Sequence, residues 1–150
     1  MGSSNGGPEK GGFTLIEIMV VLVIIAILMA VAVPSYRDSM RKGARTAARA
    51  ALYDVASRQE QYFMNNKAYS GTLAGLGLPE TYAVDRTSKM VAVNSDARVY
   101  HIELMNASAA AFEVLATAQR DQAEDGCGNF SLKSDGAQAV SGVMGPMACW

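Results

Sequence analysis

The sequence predicts an α+β fold, in which one long N-terminal helix packs on a small antiparallel sheet. Three observations lead to this prediction. An apolar run begins near the N-terminus, helix-forming residues continue it to about Asn66, and short alternating segments separated by turn residues follow. The 150 residues leave room for one compact domain in addition to the long helix.

The apolar segment extends from Phe13 to Val33, and only Thr14 and Glu17 within it are not apolar. About 20 apolar residues are enough for a helix to cross a bilayer, so residues 13–33 are predicted to be a transmembrane helix. The preceding residues 1–12 are polar and glycine-rich, unlike the basic start of a secretory signal. We therefore predict that residues 1–12 form a leader that is cut off before the apolar segment.

Glu17 is an ionisable residue near the start of this apolar segment. An acidic group in a membrane span costs about 2.5–3.5 kcal/mol on insertion scales, so its presence indicates a function. The alternative is an interfacial glutamate whose side chain reaches the lipid headgroups. Cleavage before Phe13 would create an amine one helical turn from this carboxylate, and such groups on neighbouring copies could pair.

The stretch Gly12-Phe13-Thr14-Leu15-Ile16-Glu17, followed by the apolar run and Pro34, resembles the type IV prepilin signature. The resemblance implies the type IV pilin fold, with a four-stranded antiparallel sheet and a C-terminal disulfide-bounded loop. It also implies cleavage after Gly12 by the prepilin peptidase, N-methylation of Phe13, and pairing of Glu17 with the amine of an adjacent subunit. The implied partners are other pilins, the peptidase, the inner-membrane assembly platform and, before assembly, membrane lipid.

Residues 34–66 are predicted to be the second half of the long helix. Pro34 lacks an amide donor and is predicted to kink the helix. Apolar residues recur at helical spacing and are predicted to pack against the sheet, namely Ala48, Ala51, Leu52, Val55, Ala56, Tyr62 and Phe63.

Four arginines at intervals of four residues form a basic ridge on this half of the helix, at Arg37, Arg41, Arg45 and Arg49. Three roles fit this ridge: contact with anionic lipid headgroups, contact with acidic heads of neighbouring subunits, and DNA binding. Residues 34–67 carry a balance of +4, from seven basic and three acidic residues, whereas residues 80–135 carry −4, from five and nine. The acidic head predicts poor DNA affinity, and we expect no nucleic-acid partner.

Residues 67–150 are predicted to form the globular head. A glycine-punctuated loop comes first, and a turn at Asp135-Gly136 leads into residues 137–140. Tyr100, Ile102 and Leu104 should face the helix, leaving His101 and Glu103 toward solvent. The four strands are predicted at Met90–Val93, Arg98–Leu104, Ala111–Ala118 and Cys127–Lys133.

Cys127 and Cys149 match no zinc motif, and His101 is the only histidine, so no metal or cofactor is expected. A disulfide follows if the head lies outside the cytoplasm. The positive-inside rule would keep the basic ridge in the cytoplasm, whereas the resemblance places the leader there. Long domains translocate largely regardless of charge, and the cysteines favour export, so the head is predicted to be periplasmic before assembly.

The predicted function is that of a structural subunit of a type IV pilus, most similar to PilE-type minor pilins, and not that of an enzyme. The pilus would serve motility, adhesion or DNA uptake at the cell surface. Two alternatives are a pilus-tip receptor for DNA or another surface, and a pseudopilin of a type II secretion system. The main pseudopilin usually lacks a C-terminal disulfide and has a calcium-bound loop instead, for which Asp121, Glu124 and Asp125 are the nearby carboxylates.

Overall fold

The computed structural model describes residues 12–150, so residues 1–11 of the predicted leader lie outside the described residues. Helix α1 extends from Leu15 to Asn66 and contains Pro34 without interruption. Its end agrees with the boundary predicted from the sequence. The chain divides into two compact units, one ending at Arg37 and the other comprising Asp38–Trp150.

In the first unit, α1 exposes its apolar side chains. By length and composition this helix could cross a membrane. Its most apolar stretch of 18 residues is not buried by any other part of the described chain. Leu22, Ile27 and Leu28 are each at least 60% exposed. Such a surface is unfavourable in water, so this part of the helix requires lipid or neighbouring protein around it.

In the second unit, one face of α1 is buried in the core of the head. Small residues dominate this face, which allows the helix to approach the sheet closely. Leu52 and Val55 are fully buried, and Ala56, Tyr62 and Phe63 are partly buried, as the predicted stripe requires. The buried residues of the helix are Ala44, Ala47, Ala48, Ala51, Leu52, Val55 and Gln59.

The sheet is entirely antiparallel, with strand order β2-β1-β3-β4-β5-β6. Its central strands β3 and β4 pair over six residues, from Tyr100↔Ala118 to Met105↔Glu113. Tyr100 and Ile102 are fully buried and Leu104 is partly buried, in agreement with the predicted face. The strands are β1 Tyr82–Val84, β2 Met90–Val91, β3 Tyr100–Met105, β4 Glu113–Ala118, β5 Phe130–Lys133 and β6 Gln138–Val140.

The predicted long helix and antiparallel sheet are confirmed, but the sheet has six strands and not four. β1 was not predicted, because its three residues are all buried and show no alternation. β6 lies in the segment predicted to follow the Asp135-Gly136 turn, and it forms the other end of the sheet. A short strand is recognised by the hydrogen bonds it makes to its neighbour. The alternation of apolar and polar residues in the sequence does not reveal this pairing.

The C-terminal segment folds back onto the start of β5. Helix α2 comprises Pro146–Cys149, and Cys149 forms a disulfide with Cys127. The backbone amide of Gly142 donates to the carbonyl of Cys127 at 3.0 Å. A Cβ atom at Gly142 would lie 2.1 Å from the carbonyl oxygen of Gly126, so only glycine permits this close approach. The predicted disulfide-bounded loop is thereby confirmed.

Candidate functional site

The residues of the predicted cleavage motif lie at the start of α1. Gly12 and Phe13 precede the helix, and the Phe13 side chain is 79% exposed. The Thr14 hydroxyl accepts a hydrogen bond from the amide of Glu17 at 3.3 Å, and the Thr14 carbonyl accepts one from Ile18 at 3.2 Å. Thr14 therefore acts as the N-cap of the helix, a role that the sequence analysis did not assign.

Glu17 occupies the third helical position, where its carboxylate lies in the first turn of α1. Thr-x-x-Glu is the capping-box pattern, and a carboxylate at this position also interacts favourably with the helix dipole. Thr14 to Glu17 could have been recognised from the sequence by this spacing. The backbone amide of Glu17 is thus capped by Thr14, and its carboxylate lies in the helical turn where the dipole favours a negative charge, in addition to its predicted role between subunits.

Two arginines of the basic ridge bind carboxylates of the same chain. The guanidinium of Arg45 donates to both carboxylate oxygens of Asp125, with Nε to Oδ2 at 2.8 Å and Nη2 to Oδ1 at 2.6 Å. Arg41 lies 3.5 Å from the carboxylate of Glu124. The three predicted roles of the ridge did not include contacts within the chain, so those roles remain open chiefly for Arg37 and Arg49.

The Arg45–Asp125 pair is buried, with side-chain exposures of 14% and 2%. Burial raises the pKa of Asp125, but the hydrogen bond and the charge of Arg45 outweigh it, so the pKa lies below its ordinary value. The pKa of Arg45 shifts in the opposite direction, because its hydrogen bond to Asp125 raises it above the ordinary value. Both groups are therefore charged at neutral pH, and the pair joins α1 to the segment just before Cys127.

A second polar contact joins the same parts of the head. Gln122 is 2% exposed, and its side-chain amide donates to the Tyr100 hydroxyl at 3.2 Å and to the Arg41 carbonyl at 3.4 Å. Burial raises the pKa of Tyr100 to about 12, so its phenol stays neutral. The 3-10 helix Arg120–Glu124 is thus held against both α1 and the sheet.

The loop after α1 is fixed by one buried glutamine. Gln59 is fully buried, and its side-chain amide donates to the Ser70 carbonyl at 2.9 Å while its oxygen accepts from the Ser70 amide at 2.9 Å. Both hydrogen-bonding groups of the side chain are therefore satisfied. This pair holds the loop against the helix where the chain turns toward the sheet.

Trp150 follows the disulfide and covers the edge of the core. Its ring packs edge-to-face against Phe130 and Tyr53, with centroid distances of 5.5 and 6.0 Å. The indole N–H donates to the carbonyl of Ala139 in β6 at 3.2 Å. Cys149 and Trp150 together fasten the C-terminal segment to β5, β6 and α1.

His101 is half-buried, and the prediction that it faces solvent is wrong for the ring nitrogen Nε2. This atom is buried and has no hydrogen-bond partner among residues 12–150, while Nδ1 lies 3.9 Å from Glu103. His101 pairs with Ala83 on the neighbouring strand, and Ala83 is fully buried. The face opposite α1 is therefore partly covered near β1, a strand that was not predicted.

The carboxylates considered for calcium serve other contacts. Asp125 binds Arg45 and Glu124 pairs with Arg41, which leaves Asp121 alone of the three. Among the described residues, no group of three or more His, Cys, Asp or Glu side chains is placed to hold a metal ion.

Two protein-family models match successive parts of the chain. The model described as "Prokaryotic N-terminal methylation motif" matches residues 9–33. The model described as "Type IV minor pilin ComP, DNA uptake sequence receptor" matches residues 34–131, which is more than half of the chain. The chain belongs to the type IV minor pilin family. Its long N-terminal helix, antiparallel sheet and disulfide are those of a structural pilin, and its apolar helix is that of a membrane-anchored precursor.

Individual pilins and a secretion protein are similar to parts of this minor pilin. The type IV wide pilus major component PilA4 of Thermus thermophilus is 40% identical over 75 residues, covering 48% of this chain and 57% of that protein. The type II secretion system core protein G of Pseudomonas aeruginosa is 40% identical over 68 residues, covering 45% and 48%. The matches therefore span about half the length of these relatives.

A solved type IV pilin from Shewanella oneidensis has the same fold. Its structure aligns with a TM-score of 0.50 and 22% identity, covering 73% of this chain and 97% of that chain. At this level of identity the likeness concerns the fold alone.

Proposed function

We propose that this minor pilin is a structural subunit, without catalytic activity, of a type IV pilus. One observation carries the proposal. The N-terminal methylation motif, residues 9–33, includes the first part of a helix whose apolar side chains are exposed there. Such a surface suits lipid before assembly and the helices of neighbouring pilins afterwards.

In this proposal the chain has four functional parts. Residues 1–12 are a leader that the prepilin peptidase removes after Gly12, and residues 13–33 form the membrane and filament-core helix. Residues 34–66 continue the helix, with Pro34 as a kink, and residues 67–150 form the head. The new amine of Phe13 is methylated, and it pairs with Glu17 of an adjacent subunit because both charges would otherwise be unpaired in an apolar environment.

The proposed location follows from the same helix. The precursor crosses the inner membrane once with its head in the periplasm, where the Cys127–Cys149 disulfide can form. The assembly platform then moves it into a cell-surface pilus with other pilins.

Mass spectrometry of the protein recovered from its native cell tests this proposal. We expect a chain that begins at N-methylated Phe13 and contains one disulfide. The variant Gly12→Val should keep residues 1–12 and remain in the membrane fraction. Recovery of a native chain that still starts at Met1, or of a Gly12→Val chain cut before Phe13, would contradict the proposed processing.

A pseudopilin is an alternative within the same assembly class. The likeness to the core protein G of Pseudomonas aeruginosa favours it, and this likeness covers less than half of the chain. The Cys127–Cys149 disulfide and the buried pairing of Asp125 with Arg45 favour the pilus.

DNA capture by the head is a second candidate function. The description of the matching family includes the words "DNA uptake sequence receptor". The balance of −4 over residues 80–135 argues against strong binding, so a receptor of this kind would need a local basic surface. Salt-dependent binding of duplex DNA to the full chain tests this candidate.

A further inference from the structure

Three arginines lie beyond one end of three adjacent strands. Val84 at the end of β1 pairs with Tyr100 at the start of β3, which pairs with Ala118 at the end of β4. The amide of Val99 donates to the Val84 carbonyl at 2.8 Å, and the amide of Gln119 donates to the Val99 carbonyl at 2.9 Å, so the alignment continues beyond the strands. Each arginine comes two residues beyond its strand end, at Arg86, Arg98 and Arg120.

Neighbouring strands are about 4.8 Å apart, so the backbone positions of these three arginines lie close together. We call Arg86, Arg98 and Arg120 the arginine row. The structure places all three arginines around one polar cleft of about 130 Å³. The row could not be recognised in the sequence because its members are separated by 12 and 22 residues, and because β1 was not predicted.

The arginines are only weakly neutralised. Arg86 is exposed and has no carboxylate within 4.0 Å in the described part of the chain. Arg98 donates to the neutral carbonyl of Ser95 at 2.7 Å. Arg120 pairs with Asp96, but the carboxylate side chain of Asp96 is 95% exposed. Asp121 also lines the cleft, so the local balance of these five residues is +1 on an otherwise acidic head.

Guanidinium groups bind phosphate oxygens through paired hydrogen bonds, and a row of them fits a chain of phosphates better than a single ion. An exposed ion pair contributes little free energy, so a phosphate can replace Asp96 at Arg120 at small cost. We propose that Arg86, Arg98 and Arg120 form a contact site for the phosphodiester backbone of DNA, and that Asp96 competes with phosphate for Arg120. This inference rests on DNA capture, the second candidate function.

The site explains how an acidic head can hold DNA. Contacts to phosphate position a duplex without reading its sequence, and each contact adds to the dependence of affinity on salt. Asp96 competes with phosphate for Arg120 and so lowers the affinity of the site.

The experiment measures binding of a short labelled duplex to the full chain in detergent micelles over a range of salt concentrations. The double variant Arg86→Ala/Arg98→Ala should lower the slope of log affinity against log salt by about two, uniformly for different sequences. Asp96→Asn should raise the affinity several-fold. Lys133→Ala is the matched control, because Lys133 is an exposed basic residue outside the cleft, in β5.

The outcomes separate the two claims. If the wild-type chain shows no salt-dependent DNA binding, both DNA capture and the arginine site are overturned. If it binds, but the double variant keeps the wild-type affinity and slope, only the arginine site is overturned. The same conclusion follows if Lys133→Ala weakens binding as much as the double variant does. Thermal melting of each variant confirms that the head is folded.

Discussion

At the residue scale, Glu17 has a local role and a proposed role between subunits. The Thr14 hydroxyl caps the amide of Glu17, and the Thr-x-x-Glu spacing is that of a capping box. A glutamine at this position serves a capping box equally well but carries no charge. The chemistry of position 17 therefore allows the two roles to be separated by one substitution.

We expect Glu17→Gln to insert into the membrane and to be cleaved and methylated, but to enter filaments at less than about one tenth of the wild-type level. The reason is that an unpaired charge in a buried pair costs about 3–5 kcal/mol. Immunoblots of sheared filaments and of membranes measure the two pools. Thr14→Ala is the control, because it removes the cap and leaves the charge. Wild-type incorporation of Glu17→Gln would refute the charge-pair mechanism.

At the element scale, the 3-10 helix Arg120–Glu124 and the following Asp125 are fastened to α1 by side chains. Arg45 binds the carboxylate of Asp125, and Gln122 reaches the carbonyl of Arg41. These contacts lie directly before Cys127, so they also fix one end of the disulfide-bounded loop. The basic ridge of α1 therefore also contributes to the structure of the head in the same chain.

The Asp125→Asn variant should destabilise the head by about 3 kcal/mol at pH 7, because Arg45 would remain buried without its partner. Asp125 has a lowered pKa, so its stabilising effect is present above the ordinary carboxyl pKa of about 3.9 and is lost as the pH falls through the lower folded pKa. Thermal melting from pH 7 to pH 2 measures this. The melting temperature of Asp125→Asn should fall less steeply below pH 4 than that of the wild type.

Glu80→Gln is the control for this prediction, because Glu80 is exposed and makes no ion pair within residues 12–150. It should melt like the wild type at every pH. Parallel pH profiles for Asp125→Asn and the wild type would show that the pair does not stabilise the head.

The elements with strong periodicity were predictable from the sequence, and those defined by pairing were not. The apolar face of α1 and the alternation in β3 and β4 gave correct elements because burial imposes a period on each. β1 was missed because all three of its residues are buried. The hydrogen-bond partners of Arg45 and Gln59 were not predictable. The sequence does not reveal which carboxylate binds Arg45, or which loop amide binds Gln59.

At the scale of the whole molecule, the chain combines an exposed apolar helix with a head that has its own core. The division between the two compact units falls after Arg37 in the sequence. The buried contact of Asp125 with Arg45 bears on which filament the molecule builds, because it occupies a carboxylate that a calcium-bound loop would use.

We expect the melting temperature of the full chain in detergent to be the same with calcium and with a chelator. A ligand that binds only the folded state raises the melting temperature, and Asp125, one of the three nearby carboxylates, is already held in a buried pair with Arg45. Differential scanning calorimetry with magnesium as the control ion measures this. A rise specific to calcium would favour the pseudopilin over the pilus subunit.

The disulfide also has a consequence for a filament under mechanical load. Cys127 and Cys149 are 22 positions apart, and that length of chain, drawn out fully, would extend by roughly 75 Å. Even if a pulling force broke the hydrogen bonds of β5 and β6, the covalent link would keep this length from unravelling. The bridge therefore removes this segment from the length by which the head could extend under load.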